Sequence, residues 1–186
     1  MRAKRRYGWA AWMLLGIVCM MVLVGWKAEE SEVSITRPAE DLAALERLAD
    51  GIVAEDGRLW VVSVRTSDGL LRWSGDHAAE ALEWIERTSA ELRGETPVWF
   101  VNVQGALVSG DGQALRDQVA ADADAVRVDA YEEPGRTYSY GYRSPAFRST
   151  IGEGDASIGL QAAAHLDTES GEWRATLGTP AVLIEY

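Results

Sequence analysis

Two histidines, His77 and His165, are the only imidazoles in the chain. A metal centre needs three or four ligands at set spacings, and no HExxH, CxxC or HxH run accompanies either one. His77 follows a helix-start signal and is expected in solvent, whereas His165 closes a strand and shares a face with Ala163. No G-x-S-x-G occurs, so a serine nucleophile has no setting. Glu132 with Glu133, or Glu153 with Asp155, could offer oxygen ligands to calcium, yet they match no EF-hand spacing and solvation alone explains acidic loops. Spacing cannot single out a glycosidase pair among 29 acids. No catalytic residue, metal ligand or cofactor is therefore assigned, and a non-enzyme is expected. The enzyme alternative, an envelope hydrolase working with carboxylates, requires a deep pocket holding two acids of raised pKa.

The binding chemistry is more legible. Arg136, Tyr138, Tyr140 and Tyr142 have one parity and so lie on one face of a strand. Exposed, the three rings flanked by Arg136 and Arg143 would form a platform for a sugar, a peptide or a partner protein. The competing expectation is that the tyrosines fill the half-buried face of a sheet with their hydroxyls at its edge. Thr137, Ser139 and Gly141 then occupy the other face, small enough for a helix to pack on.

The elements that must position these residues follow from periodicity. Leu42, Leu45, Leu48, Ala49, Ile52 and Val53 place one apolar stripe on a helix that starts near Thr36 and Pro38 and ends at Asp56-Gly57. Residues 59–66 and 70–74, joined by Asp68-Gly69, predict a hairpin. A second helix runs from an Asp76 cap to Arg93, followed by a strand over 98–108 and a weaker helix over 113–124. Residues 125–131 and 136–143 predict another hairpin around Pro134-Gly135, residues 144–155 a loop, and residues 156–166, 173–177 and 181–186 three last strands.

The expected fold class is α+β, an antiparallel sheet with about three helices. Its two halves share the order helix, strand, turn, strand, spacer, strand. Val101 to Leu107 (VNVQGAL) and Ile158 to Ala164 (IGLQAAA) would then be equivalent strands, with Gln104 matching Gln161.

This order, the run YSYGYRSPAF from Tyr138, the strand IGLQAAAHLDTESGEW from Ile158 and the closing GTPAVLIEY from Gly178 resemble the YwmB family of Gram-positive bacteria. The resemblance covers roughly residues 40–186. It implies a TATA-box-binding-protein-like fold of two related halves, and it brings no catalytic residues with it. The family label suggests nucleic acid as a ligand, and the charge of this chain argues against that. Five of the 18 basic residues and none of the 29 acids precede residue 28, which leaves the remainder without lysine at a net charge of −16. Such a surface repels DNA and anionic lipid.

Residues 8–26 (GWAAWMLLGIVCMMVLVGW) carry no charge and as a helix would reach about 28 Å, close to the thickness of a bilayer core. Arg2, Lys4, Arg5 and Arg6 precede them, only Lys27 follows before three glutamates, and Trp9, Trp12 and Trp26 stand near the ends. The expected arrangement is a cytoplasmic basic segment over 1–7, a single-pass anchor over 8–26, a tether over 27–37 and an extracytoplasmic domain over 38–186. A cleaved signal peptide is the alternative, but cuts after Ala28 or Gly25 would put Trp26 or Leu23 where a small residue is wanted. Cys19, the only cysteine, lies in a poor lipoprotein context and leaves the exported part without disulfides, so its stability rests on a core. The expected partners are the membrane itself and an envelope protein or cell-wall component.

Overall fold

The computed structural model describes residues 37–183. The expected cytoplasmic segment and anchor lie outside them, as does the tether apart from Arg37. No helix of the described residues is long and apolar enough to cross a membrane.

Helix α1 (Pro38–Ala49) opens with proline at its first position, where a missing N–H costs nothing, and carries Glu40 and Asp41 in its first turn. Leu42, Leu45 and Leu48 are buried along it. The helix stops short of the expected Val53 because the Ala49 carbonyl accepts both the Ile52 and Val53 N–H groups in a closing turn. Val53 then forms an isolated bridge with Leu107, and both Ile52 and Val53 stay in the core.

Strands β1 (Leu59–Thr66) and β2 (Gly69–Gly75) form the expected hairpin, with Thr66 opposite Gly69. Helix α2 (Ala78–Glu91) follows, capped at His77 and not at Asp76, and without a side-chain cap bond. Strand β3 (Val98–Ala106) leads to α3 (Gly112–Asp122), whose Asp111 cap accepts the Gln113 and Ala114 N–H groups. Strands β4 (Val126–Glu133), β5 (Thr137–Arg143), β6 (Leu160–Leu166) and β7 (Trp173–Thr179) complete the order, with a short 3-10 turn at Gly154–Ala156.

The fold is α+β. All seven strands join one antiparallel sheet in the order β2-β1-β3-β7-β6-β5-β4. Helix α2 packs on β1 and β2, α1 on β3 and β7, and α3 on β5 and β6. One continuous core results. It takes Trp60, Val62 and Val64 from β1, Val101 and Val103 from β3, Ala162 and Ala164 from β6, and the apolar stripes of α1 and α2. Because alternate residues of each strand enter it, the helices share one side of the sheet.

The two hairpins nest differently. In β1-β2 the first strand lies inward beside β3, and in β4-β5 the second lies inward beside β6. The halves therefore share an order of elements without sharing a strand arrangement. Gln104 faces Thr176 of β7 while Gln161 faces Gly178, and the residue opposite Gly178 on β3 is Asn102. The expected equivalence of Gln104 and Gln161 gives way to a pairing of Asn102 with Gln161 across β7.

The strand expected over 181–186 is also corrected. Residues 181–183 are irregular, and 184–186 lie outside the described residues. Pro180 has no N–H to continue a ladder after β7.

The expected loop over 144–155 extends to residue 159, because the strand expected from 156 begins only at Leu160, and it is tied down from a distance. Asp41, buried in the first turn of α1, accepts the Arg148 N–H at 2.6 Å and the Ser149 N–H at 3.0 Å. Phe147 enters the core beside it. Replacing Asp41 with alanine leaves two backbone donors without their charged acceptor, and Asp41→Ala is expected to cost about 3 kcal/mol, with a smaller loss for Asp41→Asn. Denaturant titration of the purified chain checks both. Gly112 offers a second test, since a Cβ there would overlap the Tyr138 ring. Gly112→Ala is expected to lower stability by about 1–3 kcal/mol in the same assay.

Candidate binding face

The tyrosine platform does not form at the surface. Tyr138, Tyr140 and Tyr142 are buried, under α3 and beside Trp173. Their strand face is the one the helices cover, and Gly112 at the start of α3 provides the clearance over Tyr138. Adjacent rings follow one another along β5 with centroids 6.3 Å apart. The hydroxyls reach the rim of this layer: Tyr140 donates to Glu132 Oε1 at 3.0 Å, Tyr142 donates to the Arg116 carbonyl at 3.2 Å, and Tyr138 accepts the Gly135 N–H at 3.1 Å. Of the five residues, Arg136 and Arg143 alone retain substantial exposure, and each meets an acid, Glu133 at 3.2 Å and Asp155 at 2.6 Å.

Of the four acids in the two pairs, Glu132, Glu133 and Asp155 are engaged within the chain. Glu132 serves Tyr140 and lies 4.0 Å from Arg127, while Glu133 and Asp155 hold the two arginines just named. His165 Nδ1 lies 2.9 Å from Thr137 Oγ1 on the neighbouring strand, and His77 is exposed as expected. Asp76, His77 and Glu80 bring one ligand-type atom each to within 4.8 Å of one another in full solvent, beside the start of α2. The groove between α1 and α2 is about 210 Å³, lined mostly by alanines and leucines with Glu46 as its one charge. Of the carboxylates that shift, Asp117 is held low by its hydrogen bond with Arg116, and Asp167 by the N–H groups of Glu169 and Ser170.

The side of the sheet away from the helices has a different chemistry. A row crosses it from Val61 through Asn102, Gly178 and Gln161 to Gly141, each residue opposite the next in the ladder. The neighbouring row runs Gln104, Thr176, Ala163, Ser139. Its centre mixes amides, hydroxyls and small residues with the buried Val61 and Phe100, and the charged groups stand toward the margins at Arg65, Arg72, Arg174, Asp129 and Glu133.

After β7 the chain turns back over this face. Gln161 Oε1 accepts the Val182 N–H at 3.0 Å, and Asn102 Oδ1 accepts the Leu183 N–H at 3.3 Å. The Gln161 amide is oriented from its other end, where Nε2 donates to Ser139 Oγ at 2.9 Å. Gly178 is the floor beneath: a Cβ there would overlap Asn102 Oδ1 and come within 2.8 Å of the Ala181 carbonyl. Alternation could have shown that Asn102 and Gln161 leave the helix-covered side. That they meet across Gly178 could not be read without the strand order.

Comparison with protein-family models finds no match, and comparison with curated protein sequences finds none.

The tyrosine layer carries a pH signature. Burial, then the hydrogen bond to Glu132, pushes the Tyr140 phenol up from 10.0 to about 12, and burial pushes Tyr142 up as well. An acid whose folded pKa is raised contributes stability that is complete below its unfolded pKa and is lost as pH climbs through the folded one. The melting temperature is therefore expected to fall from about pH 10 upward, reaching its full loss past about 12. In Tyr140→Phe this alkaline decline is expected to be shallower.

Proposed function

We propose that this chain is a single-pass, membrane-anchored extracytoplasmic protein whose domain over residues 38–186 is a non-catalytic binding module of the cell envelope. The anchor reading rests on the uncharged stretch over 8–26 and on the basic residues before it. The domain is read as YwmB-like in shape, on the motifs that carry that resemblance. Its partner is an envelope protein or a cell-wall component.

One observation carries the binding reading. Among the described residues no helix lies on one face of the sheet, and there the buried Asn102 and the half-buried Gln161 receive the backbone N–H groups of Leu183 and Val182. Groups of this kind recognise other polar chains without needing charge. The domain over 38–186 holds 12 basic and 26 acidic residues, a net charge of −14 that repels anionic ligands and that neutral groups do not depend on.

The test is site-specific photo-crosslinking in intact cells. A crosslinker at Gln104, half-buried on the uncovered face, is expected to capture a discrete envelope partner that one at the exposed Arg47 of α1 does not. Equal patterns from both positions, or turnover of wall or phosphoester substrates by the purified chain, would remove the reading. On the same cells, the protein is expected in the membrane fraction with residues 1–26 still attached by mass, and protease outside the cell should degrade the domain.

A further inference from the structure

Resting on that reading, we propose that the helix-free face is a site for an extended apolar peptide, occupied in this structure by the chain's own residues 181–183 acting as a built-in stand-in ligand.

Successive backbone N–H groups of the segment, at Val182 and Leu183, are received by side-chain carbonyls from two different strands, β6 and β3. This is recognition of main chain by amide side chains, the means by which a site accepts a peptide independently of most of its sequence. The residue between the two amides is Gly178, so the floor is bare backbone and the segment lies directly on it. The side chains that the segment brings, alanine, valine and leucine, define the chemistry of the occupant as apolar and uncharged.

The fit is incomplete, and that is what marks the segment as a stand-in. Asn102 is fully buried, its Oδ1 is used by Leu183, and its Nδ2 has no partner. A carboxamide facing an extended strand can make two hydrogen bonds to one residue, receiving its N–H and donating to its carbonyl. The chain's own segment satisfies the first and leaves the second donor idle, and an idle buried donor is a standing cost. A peptide free to choose its register can satisfy both. The cis segment holds the site through its tether, which supplies an effective concentration in the millimolar range, and through no better match than that. Removing the hold opens the site, and a peptide with the full pair of bonds competes for it.

The test uses the full chain in detergent and, as probe, a fluorescent synthetic peptide of the sequence GTPAVL with its C-terminus amidated. Val182→Pro deletes the N–H that Gln161 receives and loosens the segment, so this variant is expected to bind the probe about tenfold more tightly than the unaltered chain. Adding Asn102→Ala to it is expected to weaken binding about tenfold, and a probe with proline in place of its valine should not bind. Probe binding that is no tighter in Val182→Pro, or that is indifferent to Asn102→Ala, overturns the proposal. If Val182→Pro does not fold, amide hydrogen exchange on the unaltered chain decides. Excess probe is expected to speed exchange at Val182 and Leu183 by displacing them, and unchanged protection at millimolar probe overturns the proposal. A captured envelope partner with no probe binding would refute the peptide site and leave the binding module standing. Probe binding with no captured partner would do the reverse.

Discussion

A seven-stranded sheet has two sides to protect, and the described residues place helices on only one. Each of the three helices of the described residues covers about two strands, α2 over β2 and β1, α1 over β3 and β7, α3 over β6 and β5, which leaves only the edge strand β4 without a helix. Most large side chains go beneath it, including Trp60, Tyr140, Tyr142, Leu45 and Ile85, while Phe100 is buried on the opposite face. At about 25 cal/mol per Å² of apolar area, side chains of this size dominate the favourable side of folding. The tyrosines can be spent there because each hydroxyl ends at the rim of the layer on an acceptor or a donor. A phenol sealed in mid-core without one would offset much of its own burial.

The other side had to be solved by composition. With no helix to pack, its strands alternate toward Ser63, Asn102, Thr176, Gln161 and Ser139, and the end of the chain is drawn over the middle of it. Side-chain amides that receive backbone N–H groups are an economical way to attach an irregular segment to a sheet face, because such a segment cannot join the ladder from above. The loop over 144–159 is attached by the converse arrangement, a buried carboxylate from a helix receiving two backbone donors.

Period and turn chemistry made the elements legible. All three helices and both hairpins follow from apolar spacing, Asp68-Gly69 and Pro134-Gly135, and their ends differ from expectation by a few residues. What alternation could not decide was which side is covered. It groups Tyr138, Tyr140 and Tyr142 together and Thr137, Ser139 and Gly141 together, and is silent on where the helices go. The small-residue face looked ready for a helix, yet α3 lies on the tyrosines because a glycine at its own start, not one on the strand, supplies the clearance. Long-range ties were illegible for a related reason. Asp41 reads as an ordinary first-turn acid, and its partners stand more than a hundred residues away. The likeness between VNVQGAL and IGLQAAA pointed at glutamines, but strand order, not local pattern, pairs Asn102 with Gln161.

That pairing bears on specificity. A face built on charge would be tuned by salt and by the −14 field of the domain over 38–186, and would favour basic ligands whatever their shape. Two neutral amides separated by a glycine respond instead to the direction and spacing of a backbone. They reject a proline at the receiving position, since it offers no N–H, and they reject a helix, whose N–H groups are already used along its axis. Selection among extended chains then falls to the side chains that alternate toward the sheet, where Gly178 leaves little height above the floor. Small and β-branched residues suit that space better than aromatic ones. Of the chain's own segment, Ala181 is small and Val182 is β-branched.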